Sequence, residues 1–200
     1  MDVKTAFLYG DIDEEIYMEQ PEGYSDGNQV CRLKKSLYGL KQSPRCWYHR
    51  IHKFMREHGF TRAEADHAVY YTNELIIAIY VDDLLIVGKE LNDVNHMKRL
   101  LTSIFEMSDL GEIDVCLGIQ VTQDRKKRTL TITQSDYVKS VLKRFGMADC
   151  KPIATPIEPR APTGSQELTY KLWYQQLIGS LMYLMLGTHP EMAFAVGYLG

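Results

Sequence analysis

Two adjacent carboxylates, Asp82 and Asp83, interrupt the most apolar stretch of the sequence, residues 75–87. Neighbouring carboxylates beside aliphatic side chains repel each other and are costly to keep charged. A divalent cation would relieve that cost, and magnesium prefers such oxygen ligands while keeping room for substrate phosphates. Two ions roughly 3.5–4 Å apart can activate an attacking hydroxyl and stabilise a leaving pyrophosphate. A third carboxylate, Asp2, could complete the set from a neighbouring strand.

The same residues also have an ordinary interpretation. Asp-Asp is a common turn dipeptide, and spacing alone favours a turn at Asp82 and Asp83 over a metal site. Asp2 by itself indicates less, because one acid in a strand near the start of a sequence defines no chemistry. The residue pattern therefore leaves both interpretations open.

The elements that would position these acids follow from periodicity. Residues 1–8 alternate as in a strand, and residues 75–81 and 84–88 form a predicted hairpin with the acid pair at or next to its turn. The other predicted strands are 15–19, 30–40 (a strand or hairpin), and a hairpin of 115–123 with 129–133. The predicted helices run from Pro44 to Gly59, from about 92 to 105, and from the N-cap Ser135 to Gly146. Their predicted buried faces include Trp47, Ile51, Phe54 and Met55 in the first and Val94, Met97, Leu100, Leu101 and Ile104 in the second.

A proline-rich stretch separates the last part of the chain. Four prolines and a glycine make residues 150–166 unsuited to a helix or a central strand: Pro152, Pro156, Pro159, Pro162 and Gly164. We therefore predict a main region at 1–149, a linker at 150–168, and a truncated helical segment at 169–200 with helices at 170–186 and 191–199.

Composition excludes several classes of protein. The sequence is 45% hydrophobic and 24% charged, as in soluble globular proteins. It shows no signal-peptide pattern and no apolar run long enough to span a bilayer, and its four scattered cysteines favour a reducing compartment.

The charge is unevenly distributed along the chain. Net charge is only −3, but residues 1–29 hold eight acidic side chains and one basic, whereas residues 30–62 hold nine basic and one acidic. Such a switch can place carboxylates beside a phosphate-attracting surface, although a solvated helix face is the ordinary alternative.

Eight short segments share their order and spacing with a known family. They are MDVKTAFL (1–8), EIYMEQPEGY (15–24), LKKSLYGLKQSPR (33–45), YVDD (80–83), DLGE (109–112), LGI (117–119), TP (155–156) and GSLMYL (179–184). Together they resemble the reverse transcriptase of copia-type LTR retrotransposons over essentially the whole chain. The resemblance implies an α+β fold: a right-hand polymerase palm with an antiparallel sheet and packed helices, and a helical thumb- or connection-like C-terminal part. It also implies that the fingers subdomain, which precedes the palm in this family, is missing from this sequence.

The resemblance also implies roles for individual residues. Asp2, Asp82 and Asp83 would be the catalytic, metal-binding carboxylates, with Asp83 the less direct ligand and the Val3 carbonyl also near a metal. Phe7 would be an aromatic gate against a ribose 2′-hydroxyl, although the residues alone favour a core phenylalanine. The residues implied in nucleotide binding are Phe7, Tyr38, Gly39 and Gln42. Those implied in contacts with template or primer are Lys41, Ser43, Pro44, Arg45, Tyr80, Leu117, Gly118 and Ile119.

Cofactor and partners follow from the same resemblance. Two Mg²⁺ ions are implied, with Mn²⁺ as a substitute, together with dNTPs and an RNA or DNA template-primer. Fingers, RNase H and integrase segments would complete a full-length Pol polyprotein, and no membrane partner is expected. The implied location is intracellular, in cytoplasmic retrotransposon particles with nuclear presence as a second site, and not secreted.

Two functions are therefore carried forward. One is an RNA-directed DNA polymerase module, which the three intact carboxylates favour. The other is an inactive retrotransposon remnant with at most residual nucleic-acid binding, which the expected truncation of the sequence favours. A small metal-dependent nuclease would leave the flanking motifs unexplained. No lysine matches the expected general acid, and the helically spaced Cys46, His49 and His52 are better explained by a surface or packing role than by zinc.

Overall fold

The computed structural model describes residues 1–25, 27, 29–155, 157 and 171–200. The described chain divides into two compact units, Met1–Gly111 and Glu112–Gly200. Of the predicted linker, residues 150–155 and 157 are described, and they form neither helix nor strand. Its remaining residues, including Pro156, Pro159, Pro162 and Gly164, lie outside the described residues, so the predicted three-part organisation stays a prediction.

Antiparallel strands form the framework of the first unit. They are β1 (Asp2–Val3), β2 (Tyr17–Glu19), β3 (Val30–Arg32), β4 (Thr61–Arg62), β5 (Val69–Tyr71), β6 (Leu75–Tyr80), β7 (Asp83–Gly88) and β8 (Met107–Ser108). Six of the described strands make one sheet in the order β4-β5-β6-β7-β1-β8, and β2 pairs with β3. The hairpin β6–β7 is central to the sheet, and its alternating side chains bury Leu75, Ile77 and Leu84 on one face. The predicted hairpin is confirmed.

Two helices cover that buried face. They are α1 (Ser43–Glu57) and α2 (Leu91–Ile104). The face predicted for α1 is confirmed, since its four apolar residues are all buried. In α2, Met97 and Leu101 are buried, but Ile104 is exposed and its prediction as a core residue was wrong. Phe105, just past the helix end, is buried instead and meets the rings of Trp47 and Phe54 edge-on.

Two predicted strands end well before their expected last residue. The strand predicted over residues 1–8 ends at Val3, because Thr5 takes a left-handed conformation with φ 54° and the chain enters a 3-10 helix, Ala6–Tyr9. The turn brings Ala6 into the core, where it is fully buried. The strand predicted over residues 30–40 ends at Arg32, and the chain then bends so that the Ser36 amide donates to the Gly10 carbonyl at 3.0 Å.

The second unit combines a small sheet with helices. Its elements are β9 (Val115–Cys116), β10 (Ile119–Asp124), β11 (Thr129–Thr133), α3 (Ser135–Arg144), α4 (Lys171–Gly187), a 3-10 helix (Pro190–Met192) and α5 (Ala193–Leu199). The sheet order is β11-β10-β9, and the predicted hairpin β10–β11 is confirmed. The chain as described is therefore an α+β protein with antiparallel sheets and five α-helices. None of its described helices is long and apolar enough to cross a bilayer.

Details of the second unit differ from the predictions. Residues 115–123 are not one strand, because the chain turns at Leu117 and Gly118, both with positive φ. Ser135 is the first residue of α3 and not its N-cap; Gln134 precedes the helix and gives no side-chain cap. The predicted helix from residue 191 begins as 3-10 turns, with α-helix from Ala193 onwards.

The packing of α2 gives a first testable prediction. Replacement of Leu101, which is fully buried, with alanine is expected to lower the free energy of unfolding by roughly 3–5 kcal/mol, because it leaves a cavity in the core. The matched control is Leu91→Ala in the same helix, where the side chain is 70% exposed and the change should stay within about 0.5 kcal/mol. Urea unfolding followed by circular dichroism measures both, and equal losses would contradict this assignment of the core.

Candidate active site

The pairing of β1 with β7 brings Asp2 and Asp83 together. The two residues are directly opposite each other in the antiparallel ladder. The Val3 amide donates to the Asp82 carbonyl and the Leu84 amide to the Met1 carbonyl, each at 2.8 Å, so Asp2 and Asp83 occupy the position between these bonds. In such a non-hydrogen-bonded pair the Cα atoms are about 4.5 Å apart and both side chains leave the same face. Asp83 is exposed and Asp2 half-buried, so this face is open to a ligand.

The opposite face of the same strands is anchored in the core. Val3 and Leu84 alternate with the two acids and are almost completely buried. Tyr80 is the partner of Asp83 on β6 and shares its open face, where it is largely exposed. The sheet thus separates a buried apolar face that fixes the strands from an open face that carries Asp2 and Asp83.

Asp82 lies in the two-residue turn of the hairpin, next to Val81. Tyr80 and Asp83 pair across this turn, and Val81 has a φ of 56°. Tight hairpin turns need positive φ at the first central position, which glycine supplies easily and a β-branched residue only under strain. Strained residues of this kind persist where their surroundings hold them, and they are concentrated at functional sites.

Trp47 supplies that support from α1. Its indole Nε1–H donates to the Val81 carbonyl at 2.7 Å, and its ring is 3% exposed. The ring also packs edge-on against Phe105 and near Tyr9. The turn that carries Asp82 is therefore bonded directly to the aromatic core.

The donor set suits a hard cation. Carboxylate oxygens are the ligands that Mg²⁺ prefers, and it is usually held by one or two carboxylates together with substrate phosphates. Asp2 and Asp83 provide such a pair, with Asp82 adjacent on the turn. Within the described residues, no three acidic, histidine or cysteine side chains converge as a ready-made metal cage. The residues present fit a site completed by substrate.

Phe7 is held on the 3-10 helix that follows β1. Its carbonyl accepts a hydrogen bond from the buried Ser36 hydroxyl. Gly10 closes the same bend against α1, where a Cβ atom would lie 2.6 Å from the Cβ of Cys46. The Phe7 ring is half-buried and contacts the exposed Tyr38 ring, with centroids 4.7 Å apart. The structure thus brings together two of the predicted nucleotide-binding residues.

An apolar cavity of about 220 Å³ lies beside the turn. Phe7, Trp47, Tyr70 and Val81 contribute to its wall. The Tyr70 hydroxyl bonds with His52 Nδ1 at 2.9 Å, and burial raises the pKa of Tyr70 to about 12. Because its phenol is neutral and already partnered, the cavity presents mainly aromatic and aliphatic surface.

The start of α1 carries the other predicted ligands. Lys41 and Pro44 are exposed, whereas Ser43 is buried and its hydroxyl donates to the Leu37 carbonyl. Gly39 takes a φ of 94°, which glycine tolerates. Ser43 therefore has a structural partner for its side chain, and its backbone amide also donates to the Leu40 carbonyl at 3.3 Å.

Gln42 and Arg45 are both bound to an acidic loop. Gln42 Nε2 donates to Glu14 Oε2 at 2.9 Å, and Arg45 Nη2 donates to Glu14 Oε1 at 3.2 Å. Arg45 also lies 3.5 Å from Asp13. The side chains are about half exposed, so these pairs are weak and open to exchange.

Packing contacts account for Cys46 and His52. Cys46 is buried where Gly10 approaches α1, and the His52 ring stacks on Tyr48 with its Nδ1 bonded to Tyr70. Burial, with Arg62 next in importance, lowers the pKa of His52, so the ring is neutral at neutral pH. These contacts agree with the packing role expected for the two residues.

Comparison with known proteins identifies the chain. Residues 1–159 match the family model described as reverse transcriptase (RNA-dependent DNA polymerase). The chain belongs to this reverse transcriptase family. The expected resemblance is confirmed, and the family is that of RNA-directed DNA polymerases.

Relatives of this reverse transcriptase domain are transposon proteins. The Pol polyprotein from transposon TNT 1-94 of Nicotiana tabacum is 42% identical over 98% of this chain and 16% of its own length. The Pol polyprotein from transposon RE1 of Arabidopsis thaliana is 33% identical over 100% of this chain and 14% of its own length. A putative transposon Ty5-1 protein of Saccharomyces cerevisiae is 32% identical over 100% of this chain and 68% of its own length. The chain thus spans about a sixth of the plant polyproteins. No solved structure matches it.

Sequence reasoning missed several residues that position the candidate site. Ser36 and Glu14 each bind a predicted site residue at least 28 positions away, Phe7 and Gln42 respectively, and Gly10 lies against Cys46 of α1. Ser36 lies inside the segment 33–45 that resembles the family, and this was the available signal. Leu117, Gly118 and Ile119 form the β9–β10 turn of the second unit.

The support of the turn by Trp47 can be tested. Trp47→Phe keeps an aromatic ring but removes the donor to the Val81 carbonyl, so the free energy of unfolding is expected to fall by about 1–3 kcal/mol. Trp173→Phe is the matched control, because Trp173 is half exposed and should change stability by less than about 0.5 kcal/mol. Thermal and urea unfolding followed by circular dichroism report both variants. A Trp47 variant as stable as the control would contradict the proposed support.

Proposed function

We propose that this chain catalyses RNA-directed DNA synthesis with Asp2, Asp82 and Asp83 as its metal-binding carboxylates. The observation that carries the proposal is the register of β1 against β7, which sets Asp2 opposite Asp83 on an open face. Asp82, on the adjoining turn, is the third acid. Two carboxylates on paired strands, with a third on the adjoining turn, would supply the kind of donor set that phosphoryl transfer to a hydroxyl requires.

Two Mg²⁺ ions, or Mn²⁺ in their place, would be held by these acids with the Val3 carbonyl nearby. When bound, the ions supply activation of the primer 3′-hydroxyl and stabilisation of the pyrophosphate that leaves. The chain's own task is to hold the acids in place before substrate arrives. The ladder of β1 and β7 does so for Asp2 and Asp83, and Trp47 does so for the turn with Asp82.

Phe7, Tyr38, Gly39 and Gln42 would bind the incoming nucleotide. The Phe7 ring, packed on Tyr38 and fixed through Ser36, is a rigid wall on which a ribose 2′-hydroxyl would collide. The cavity beside Val81 offers aromatic surface to a planar base. Rigid placement of this wall is what would select deoxynucleotides.

Template and primer would be held along the basic segment and the hairpin turns. Lys41, Ser43, Pro44 and Arg45 lie at the start of α1, and Tyr80 shares the face of Asp83. A nucleic-acid phosphate would compete with Glu14 and Asp13 for Arg45, because those exposed ion pairs cost little to break. Leu117, Gly118 and Ile119 would contact the primer strand.

The finer assignment of the fold belongs to the same proposal. The six-stranded sheet with α1 and α2 would be the polymerase palm, and the second unit would contain thumb- or connection-like structure. Template-primer, dNTPs and the remaining Pol segments would be its partners, within intracellular retrotransposon particles. The similarity to Pol polyproteins of transposons supports this context.

Replacement of an acid tests the catalytic assignment. Asp83→Asn, Asp82→Asn or Asp2→Asn is expected to lower primer extension roughly 100-fold or more, because each removes charge needed to hold the cation. Asp149→Asn, at an exposed position, is the matched control and should extend as the wild type does. The measurement is incorporation of labelled dNTP on a primed RNA template with Mg²⁺.

The wild-type result decides between the two functions. Extension by the wild type that is lost with each acid variant, while circular dichroism stays unchanged, supports the polymerase. Failure of the wild-type chain to extend, with the fold intact, would instead favour the inactive remnant.

Replacement of Phe7 tests the sugar gate separately. Phe7→Val is expected to raise ribonucleotide relative to deoxyribonucleotide incorporation by roughly 10-fold or more, since it opens the wall beside Tyr38. Phe7→Tyr keeps the ring and should keep the discrimination. Competition between rNTP and dNTP in single-nucleotide extension gives the ratio, and no change with valine would remove Phe7 from this role.

A further inference from the structure

The turn between β9 and β10 has an unusual backbone. Leu117 and Gly118 are its two central residues, with φ of 50° and 78°, and Cys116 pairs with Ile119 across it. Positive φ at both positions is the type I′ hairpin geometry that favours Asn-Gly or Gly-Gly. Leucine at the first position is disfavoured because its Cβ crowds the backbone. This conformation therefore depends on contacts from outside the hairpin.

Tyr183, on α4, makes two such contacts. Its hydroxyl donates to the Leu117 carbonyl, which is 66 positions away in the chain. The same hydroxyl covers Gly118, where a Cβ atom would lie only 2.9 Å from the Tyr183 oxygen. One tyrosine thus holds the first residue of the turn and limits the second to glycine.

Tyr183 is itself fixed from two sides. Its ring packs edge-on against Tyr137 of α3, with centroids 4.7 Å apart. Its carbonyl accepts from Nε2 of Gln134 at 3.3 Å, and Gln134 is completely buried. Thr188 donates to Gln134 Oε1 at 2.9 Å, and Gly187 leaves no room for a Cβ atom beside that amide.

We propose that Tyr183 is a positioning residue that sets the Leu117–Gly118 turn for contact with the primer strand. It follows that α4, which carries Tyr183, contributes to duplex binding by the polymerase module, although the family match ends at residue 159. The proposal rests on the proposed function, because the contact of the turn with primer is part of it.

The physical gain is preorganisation. A turn already held in its binding conformation loses less conformational entropy on binding a duplex than a flexible turn does. Its affinity for the duplex is therefore higher, although no contact to the duplex has been added. Loss of the Tyr183 hydroxyl should therefore weaken binding of template-primer. It should leave untouched the acids in the first unit that would carry out the chemistry.

Tyr183→Phe is the test, with Tyr174→Phe as its matched control. Tyr174 lies on the same helix and also donates its hydroxyl to a carbonyl, that of Leu199, away from the turn. For Tyr183→Phe, the Kd for a fluorescent RNA–DNA template-primer and the KM for that duplex are expected to rise roughly 3- to 10-fold. kcat and the KM for dNTP should stay at wild-type values, and hydrogen exchange of residues 115–120 should become faster. Tyr174→Phe should change none of these.

Each outcome decides one point. Unchanged Kd and unchanged hydrogen exchange in Tyr183→Phe would overturn the proposal, as would a fall in kcat alone or an equal effect of Tyr174→Phe. A wild-type chain that binds duplex but does not extend it would remove the proposed function only, since the Kd comparison still decides the role of Tyr183. Absence of duplex binding by the wild type would overturn both.

A second variant probes the contact from the other side. Gly118→Ala is expected to weaken duplex binding more in the wild-type background than in Tyr183→Phe, because the phenylalanine variant lacks the oxygen that the new methyl group would meet. The difference measures coupling between the two positions. Strictly additive effects on Kd would show that Tyr183 does not act through this turn.

Discussion

The hydrogen bonds between β1 and β7 are the constraint on which the site depends. They fix Asp2 opposite Asp83, with Val3 and Leu84 on the reverse face in the core. A slip of one residue would exchange the two faces, bury an acid and expose an apolar side chain. The free energy of burying Val3 and Leu84 therefore also specifies where the acids lie, and no separate device is needed to align them.

The same core controls the turn that carries Asp82. Trp47 belongs to the aromatic cluster with Phe105, and its indole nitrogen reaches the carbonyl of Val81. A valine with positive φ is unfavourable alone, so its conformation is stabilised by a contact made only when α1 has packed on the sheet. The geometry of the candidate site in this reverse transcriptase domain therefore depends on the packing of the core.

The second unit uses the same principle with different residues. Its Leu117–Gly118 turn has an unfavourable backbone, and a tyrosine from a packed helix meets it there. In both turns an aromatic side chain, Trp47 or Tyr183, donates a hydrogen bond to the carbonyl of a residue with positive φ. In each unit a distant helix determines a local conformation that the turn residues do not favour by themselves.

The sequence by itself determined the hairpin β6–β7, the buried face of α1 and the family, because alternation, helical spacing and motif order are local properties of the chain. It did not determine that the first strand stops at Val3, that Ile104 is exposed, or that residues 115–123 turn at Leu117. Nor did it indicate Glu14 beside Gln42 and Arg45. These features depend on partners far along the chain, which are defined only once the core has packed. The sequence led us to expect Asp2 near Asp82 and Asp83, but only the tertiary structure decided the register that sets it opposite Asp83, since the ladder joins residues 81 positions apart.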